Sequence, residues 1–203
     1  HRIFVAADES ASSEYGAIWQ RLGRGEFIAD EFKRVTKNGD EVWIQASYNP
    51  VMDKQGRVIK VVKFATDITR SKLKFAELEG QANAIERSQA VIEFDLNGII
   101  LNANDNFLQT MGYELAEIKG QHHSLFVDPH YAQSNEYRDF WRRLSLGQYE
   151  QAEYARVAKG GREVWIQASY NPILDLNGKP FKVVKYATDI TLQKEQAADF
   201  SGQ

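Results

Sequence analysis

The decapeptide Glu-Val-Trp-Ile-Gln-Ala-Ser-Tyr-Asn-Pro occurs twice, at Glu41–Pro50 and at Glu163–Pro172. An exact ten-residue repeat that includes Trp and Tyr does not arise by chance in 203 residues. Trp43 and Trp165 lie 122 residues apart, and at that offset His1–Lys72 falls on His123–Lys194 without a gap. About half of the paired positions are identical, among them Tyr15/Tyr137, Trp19/Trp141, Leu22/Leu144, Gly25/Gly147 and the triplet Asp67-Ile68-Thr69/Asp189-Ile190-Thr191. Solenoid repeats have periods of roughly 20–50 residues, so a spacing this long means two copies of a whole domain. Val91–His122 has no counterpart in the first copy, and the expectation is that the sequence begins inside the first domain. The division expected is 1–70 for the C-terminal part of a first domain, 71–89 for a helical linker, 90–191 for a complete second domain, and 192–203 for the start of a signalling helix.

Composition narrows the class. Hydrophobic residues make up 43% of the chain and charged residues 26%, an ordinary balance for a globular protein. There is no cysteine, which removes disulfides, Cys-ligated metals and thiol nucleophiles together. The net charge is −3 with scattered Lys and Arg, whereas a nucleic-acid binder needs a basic face. No apolar run approaches the roughly 20 residues that would span a bilayer. The expectation is a cytoplasmic protein with no membrane span in this chain and no nucleic-acid partner.

Within the complete copy, Val91–Leu96 and Ile99–Asn102 are short β-type runs around Asn97-Gly98, a strong hairpin signal. Asn104 is placed to cap a helix carrying Phe107, Leu108 and Met111 and stopped by Gly112. Leu115–Ile118 forms a second short helix. Tyr137, Phe140, Trp141 and Leu144 fall at i, i+3, i+4 and i+7, one face of a longer helix. Three strands follow, near 149–158, 163–170 and 181–188. The order predicts an α+β domain, a five-stranded antiparallel sheet with helices on one face. In the quoted phrase, Val164, Ile166, Ala168 and Tyr170 share one strand face, while Trp165, Gln167 and Ser169 share the other. Pairing is expected to fade near Pro172, which lacks a donor.

The Asn-Gly hairpin, "NANDNFLQTMGY", "EIKGQ", "EVWI", "NPILD" and the closing "ATDIT" resemble the PAS sensor domain. The tandem copies resemble those of bacterial methyl-accepting chemotaxis transducers of the aerotaxis type. The resemblance implies the PAS fold in two copies, the first without its N-terminal part. It implies a ligand between the helices and the inner sheet face. Ile166, Ala168 and Tyr170 would line that space, as would Ile44, Ala46 and Tyr48 in the first copy. The plainer reading of these residues is core, and the same holds for Trp141 and Trp19. Trp165 and Trp43, on the opposite face, are expected to pack against a flanking helix or a partner.

The resemblance admits haem or flavin adenine dinucleotide (FAD) as cofactor and decides for neither. His122-His123 invites a haem reading, with His123 and His130 as candidate ligands. Haem-binding PAS domains that take their axial His from the helix after "LFVDP" have no match here, where the segment reads Tyr131-Ala-Gln-Ser-Asn-Glu136. "NANDNF", with Asn104, and "GQHH" resemble a flavin-binding aerotaxis domain. Val127-Asp128, Gly25–Ile28 and Gly147–Glu150 depart from it. The candidate cofactor contacts are therefore Asn104, His123, Trp141, Ile166, Ala168 and Tyr170, with no metal and no catalytic residue.

Between the copies, Ile68, Phe75, Ala82 and Gln89 recur every seven residues, as do Ser71, Leu78, Ile85 and Ile92. This partial heptad suits a helix pairing with a second copy; the competing reading is a single helix lying on its own domain. Asp189 and Asp67 are expected to fix the backbone where the last strand passes to a helix. The expected function is the sensory input region of a signal transducer that binds a cofactor or small ligand. It would form a homodimer and relay its state through helical linkers to a chemotaxis output module. The alternatives are the input region of a diguanylate cyclase or histidine kinase, and a ligand-free dimerisation module. No enzymatic activity is expected.

Overall fold

The computed structural model describes residues 1–201; the last two positions of the expected signalling helix, 202–203, lie outside them. The chain packs as two units that divide between Gln81 and Ala82, within the expected linker.

The first unit contains α1 (Ala7–Ser10), α2 (Ser13–Gly23), β1 (Ile28–Val35), β2 (Glu41–Met52) and β3 (Val58–Asp67). Its sheet is antiparallel in the order β1-β2-β3. Ser12 caps α2 by accepting the Tyr15 N–H, and Leu22, Ile28, Ala46 and Tyr48 form a small core. The helix that follows, α3 (Thr69–Ser88), covers nearly the whole expected linker.

The second unit holds β4 (Ala90–Phe94), β5 (Ile100–Ala103), α4 (Asp105–Met111), α5 (Leu115–Ile118), α6 (Pro129–Ala132), α7 (Asn135–Ser145), β6 (Glu150–Val157), β7 (Glu163–Leu174), β8 (Pro180–Asp189) and α8 (Thr191–Ser201). Its five antiparallel strands lie in the order β5-β4-β8-β7-β6, so the last strand sits at the centre. Asn104 caps α4, and Gly112 ends it in the left-handed conformation at φ 74°. Helix α7 buries Tyr137, Phe140, Trp141 and Leu144, the face given by its spacing. These side chains pack on Phe94, Ile166, Ala168, Tyr170, Val183 and Ala187 of the sheet.

Two details differ from expectation or narrow it. On the β8 side pairing does not fade at Pro172: it stays in register with Val183, and β7 runs on to Leu174, with the irregularity at Ile173/Leu174. The partner on the other side, β6, ends its pairing at Tyr170. Beyond that point β7 has a free side, where a missing donor is tolerated. Helix α3 buries none of its residues; its first turn meets the first sheet through Lys72, which lies over the Trp43 ring and pairs with Glu31. Leu73, Phe75, Leu78 and Ile85 are exposed along it.

Candidate functional site

The helical and sheet layers of the second unit meet around His123. A 3-10 turn, His123–Phe126, carries this imidazole inward, where it is fully buried. Its Nδ1 lies 2.8 Å from the Tyr137 hydroxyl on α7, and its Nε2 lies 2.9 Å from the Tyr170 hydroxyl on β7. A neutral imidazole satisfies both phenols, donating from one nitrogen and accepting at the other. Burial, reinforced by the Lys185 and Arg156 cations, holds the His123 pKa well below its ordinary value. The Tyr170 hydroxyl also accepts from Arg156 Nη2 at 3.1 Å.

Strand alternation supplies the two cations. Lys185 shares the inward face of β8 with Val183 and Ala187 and is 1% exposed. Its Nζ sits 5.1 Å from the centroid of Tyr170 and 5.6 Å from that of Phe107. Burial and the neighbouring Arg156 push its amine well down from the usual range. Arg156, on β6, is 5% exposed, and its guanidinium lies over the Tyr154 ring at 4.4 Å.

Of the residues singled out in the sequence, His123, Trp141 and Tyr170 come together. The His123 ring is 5.4 Å from Trp141 and 5.6 Å from Tyr170. Ile166 and Ala168 line the same inner face. Trp141 also borders an open groove of about 630 Å3 with Leu96, Asn97, His122, Tyr137 and Ser145. Asn104 stands apart from this cluster. Its Oδ1 accepts from the N–H groups of Val91 (2.9 Å) and Phe107 (3.0 Å), and its Nδ2 donates to Glu86 and Gln89 carbonyls (2.8 Å each). It is a backbone clamp joining the end of α3 to β4 and α4. His130 is exposed on α6. Arg156 and Lys185 were missed in the sequence. Both recur as Arg34 and Lys63 at the 122-residue offset, and that repetition of cations on inward strand positions was the available signal.

The first unit repeats the arrangement. His1 Nδ1 lies 3.1 Å from the Tyr15 hydroxyl and its Nε2 lies 3.0 Å from that of Tyr48, which accepts from Arg34 at 3.2 Å.

The PAS fold family matches residues 1–65 and 100–187. The chain belongs to it. This PAS chain is 45% identical over 191 residues to the biofilm dispersion protein BdlA of Pseudomonas aeruginosa, covering 94% of this chain and 46% of that protein. It is 31% identical over 80 residues to the aerotaxis receptor of Escherichia coli, covering 39% of this chain and 16% of that one. It is 25% identical over 175 residues to the oxygen sensor protein DosP of Escherichia coli, covering 85% of this chain and 21% of that one. The chain thus spans less than half the length of each of these relatives. Among the described residues, no helix is long and apolar enough to cross a membrane.

The exit from each sheet is a built junction. Asp189 Oδ1 accepts the N–H of Thr191 at 2.9 Å, and Thr191 Oγ1 accepts the N–H of Trp165 at 3.0 Å. Ile190 donates to the Trp165 carbonyl at 2.8 Å. Asp67, Thr69, Trp43 and Ile68 make the same four-residue pattern. Its two hydrogen bonds from Thr69 hold the Asp67 carboxyl below its ordinary pKa. Trp165 and Trp43 pack against the following helix, as expected, through Lys194 at 5.0 Å and Lys72 at 4.8 Å from their ring centroids.

Axial ligation of haem needs a free imidazole nitrogen, and both nitrogens of His123 are committed to phenols.

Proposed function

We propose that this region is a tandem PAS sensory input whose second unit responds to a small ligand at the Tyr170–Arg156 cluster. The change passes through the Asp189–Thr191 junction to the helix beyond, and from there to a chemotaxis-type output module. The reading is supported above all by the junction itself, which occurs identically in both copies. It places a hydrogen-bonded corner between the central strand of the second sheet and its departing helix. The 45% identity to a biofilm dispersion protein and the shorter match to an aerotaxis receptor support the signalling class. The region acts as a binding module rather than a catalyst, in the cytoplasm and as a homodimer through exposed helices such as α3. An input to a diguanylate cyclase or histidine kinase would use the same corner.

The test is Asp189→Ala in the full-length protein. Ligand affinity should stay near wild type while output no longer follows the ligand. Ligand-dependent output at normal expression would overturn the proposal. An absorbance spectrum of the purified protein tests the ligand class, since a Soret or flavin band would refute a colourless ligand.

A further inference from the structure

The two units bury the same arginine but treat its charge differently. Arg34 and Arg156 are each 5% exposed. Each donates from Nη1 to the preceding carbonyl, Lys33 at 2.6 Å and Ala155 at 2.9 Å. Each donates from Nη2 to the inner-face tyrosine, Tyr48 at 3.2 Å and Tyr170 at 3.1 Å. Each lies over the ring two residues back, Phe32 at 4.7 Å and Tyr154 at 4.4 Å, and leaves Nε without an acceptor.

The difference is an acid. In the first unit Glu9, on the one-turn helix α1, places its carboxylate 3.2 Å from Arg34 Nη1. The matching residue on α6 is Tyr131, 122 positions on. Among the described residues Arg156 has no ion pair, and the acid that opens its own strand, Glu150, is paired with Arg143 at 2.5 Å. Lys185 lies against the same Tyr170 ring, as Lys63 lies against Tyr48, but it is fully buried where Lys63 is only partly so, and it has no acid of its own. A buried guanidinium without a counter-charge is costly, and an anion that reaches it recovers much of that cost.

We propose that the second unit binds a small carboxylate on Arg156, at the place that the Glu9 side chain fills on Arg34 in the first unit. The first unit carries its anion covalently; the second takes it from solution. Tyr131 is half-buried, and α6 buries none of its four residues, so the turn can yield to an acid at little packing cost. The inference deepens the sensory reading and rests on it for the consequence of binding, while binding itself is measured separately.

The experiment is isothermal titration of the 203-residue chain with acetate and succinate, with inorganic phosphate and chloride as controls at matched ionic strength. One saturable carboxylate site per chain is expected. Tyr131→Glu supplies an internal carboxylate and should weaken binding at least ~30-fold while raising the thermal midpoint. Arg156→Met should weaken binding by a similar factor. Near-UV circular dichroism confirms that each variant is folded, and Tyr131→Glu, at a half-buried position, serves if Arg156→Met does not fold. No carboxylate heat in the wild type, equal affinity for chloride or phosphate, or unchanged binding in folded Tyr131→Glu would each overturn the inference. Carboxylate binding without any change in output from the full-length protein would instead sink the sensory reading and leave this one standing.

Discussion

Thr191 receives the backbone N–H of Trp165 on its hydroxyl at 3.0 Å, tying the first turn of α8 to the strand that carries Tyr170. Trp165 and Tyr170 lie on opposite faces of β7, five residues apart. The inner face, where the buried cluster lies, and the departing helix therefore share one strand.

Thr191→Val keeps the branched shape and removes the acceptor. It should cost about 0.5–1.5 kcal/mol in the unfolding of the second unit, read by chemical denaturation. In the full-length protein it should loosen coupling as Asp189→Ala does. Full coupling with full stability would mean that the hydroxyl contributes nothing.

The second unit should lose stability in mild acid. The folded state resists protonation of His123, whereas the unfolded chain binds a proton below about pH 6.5. Stability should be flat from this group above that pH. It should fall by up to about 1.4 kcal/mol per pH unit below it. Denaturation midpoints between pH 7.5 and pH 5 measure the slope, and His123→Gln should flatten it. An equal slope in that variant would place the titration elsewhere.

Lys185→Met should make the protein more stable. At neutral pH the unfolded chain carries this amine charged, while the folded surroundings oppose the charge. Replacing it by an apolar side chain of similar length should gain about 1–3 kcal/mol. The same variant should bind carboxylates more weakly. A loss of stability on substitution would show that the amine has a partner worth more than its burial costs.

Gly98→Ala should damage the domain. The residue has φ +82°, and an added Cβ would stand 2.8 Å from His122 Nε2 and 2.9 Å from the Trp141 ring. Strain and overlap together should cost about 1–3 kcal/mol, seen as a lower thermal midpoint. A neutral result would mean that the hairpin shifts freely over α7.

Much of this structure was legible in the sequence, because local signals and burial agree. The capping Asn104, the i, i+3, i+4, i+7 face of α7 and the strand alternation in Val164–Tyr170 all have local causes. The packing of Trp165 and Trp43 on the next helix followed from the face they occupy. The core cluster was harder. A histidine in a His-His pair looks like a ligand until two distant tyrosines are seen to hold both of its nitrogens. Arg156 and Lys185 sit in strands whose alternation marks them as inward, but charge argues for the surface. The sheet order, with β8 at the centre, shows why Lys185 is enclosed, whereas Arg156, on the edge strand β6, is covered by Tyr154 and Tyr170. Pro172 was half legible: pairing ends before it on the β6 side and continues past it on the β8 side, which depends on where the neighbouring strand stops.

Helix α3 is twenty residues long and buries none of them. Most of the stability of helices in proteins comes from packing one face against something else, and this helix has no such face covered. Its persistence therefore depends on what comes to cover Leu73, Phe75, Leu78 and Ile85. Such a segment can carry a message as its degree of winding, with no need for a rigid rod to be pushed or turned.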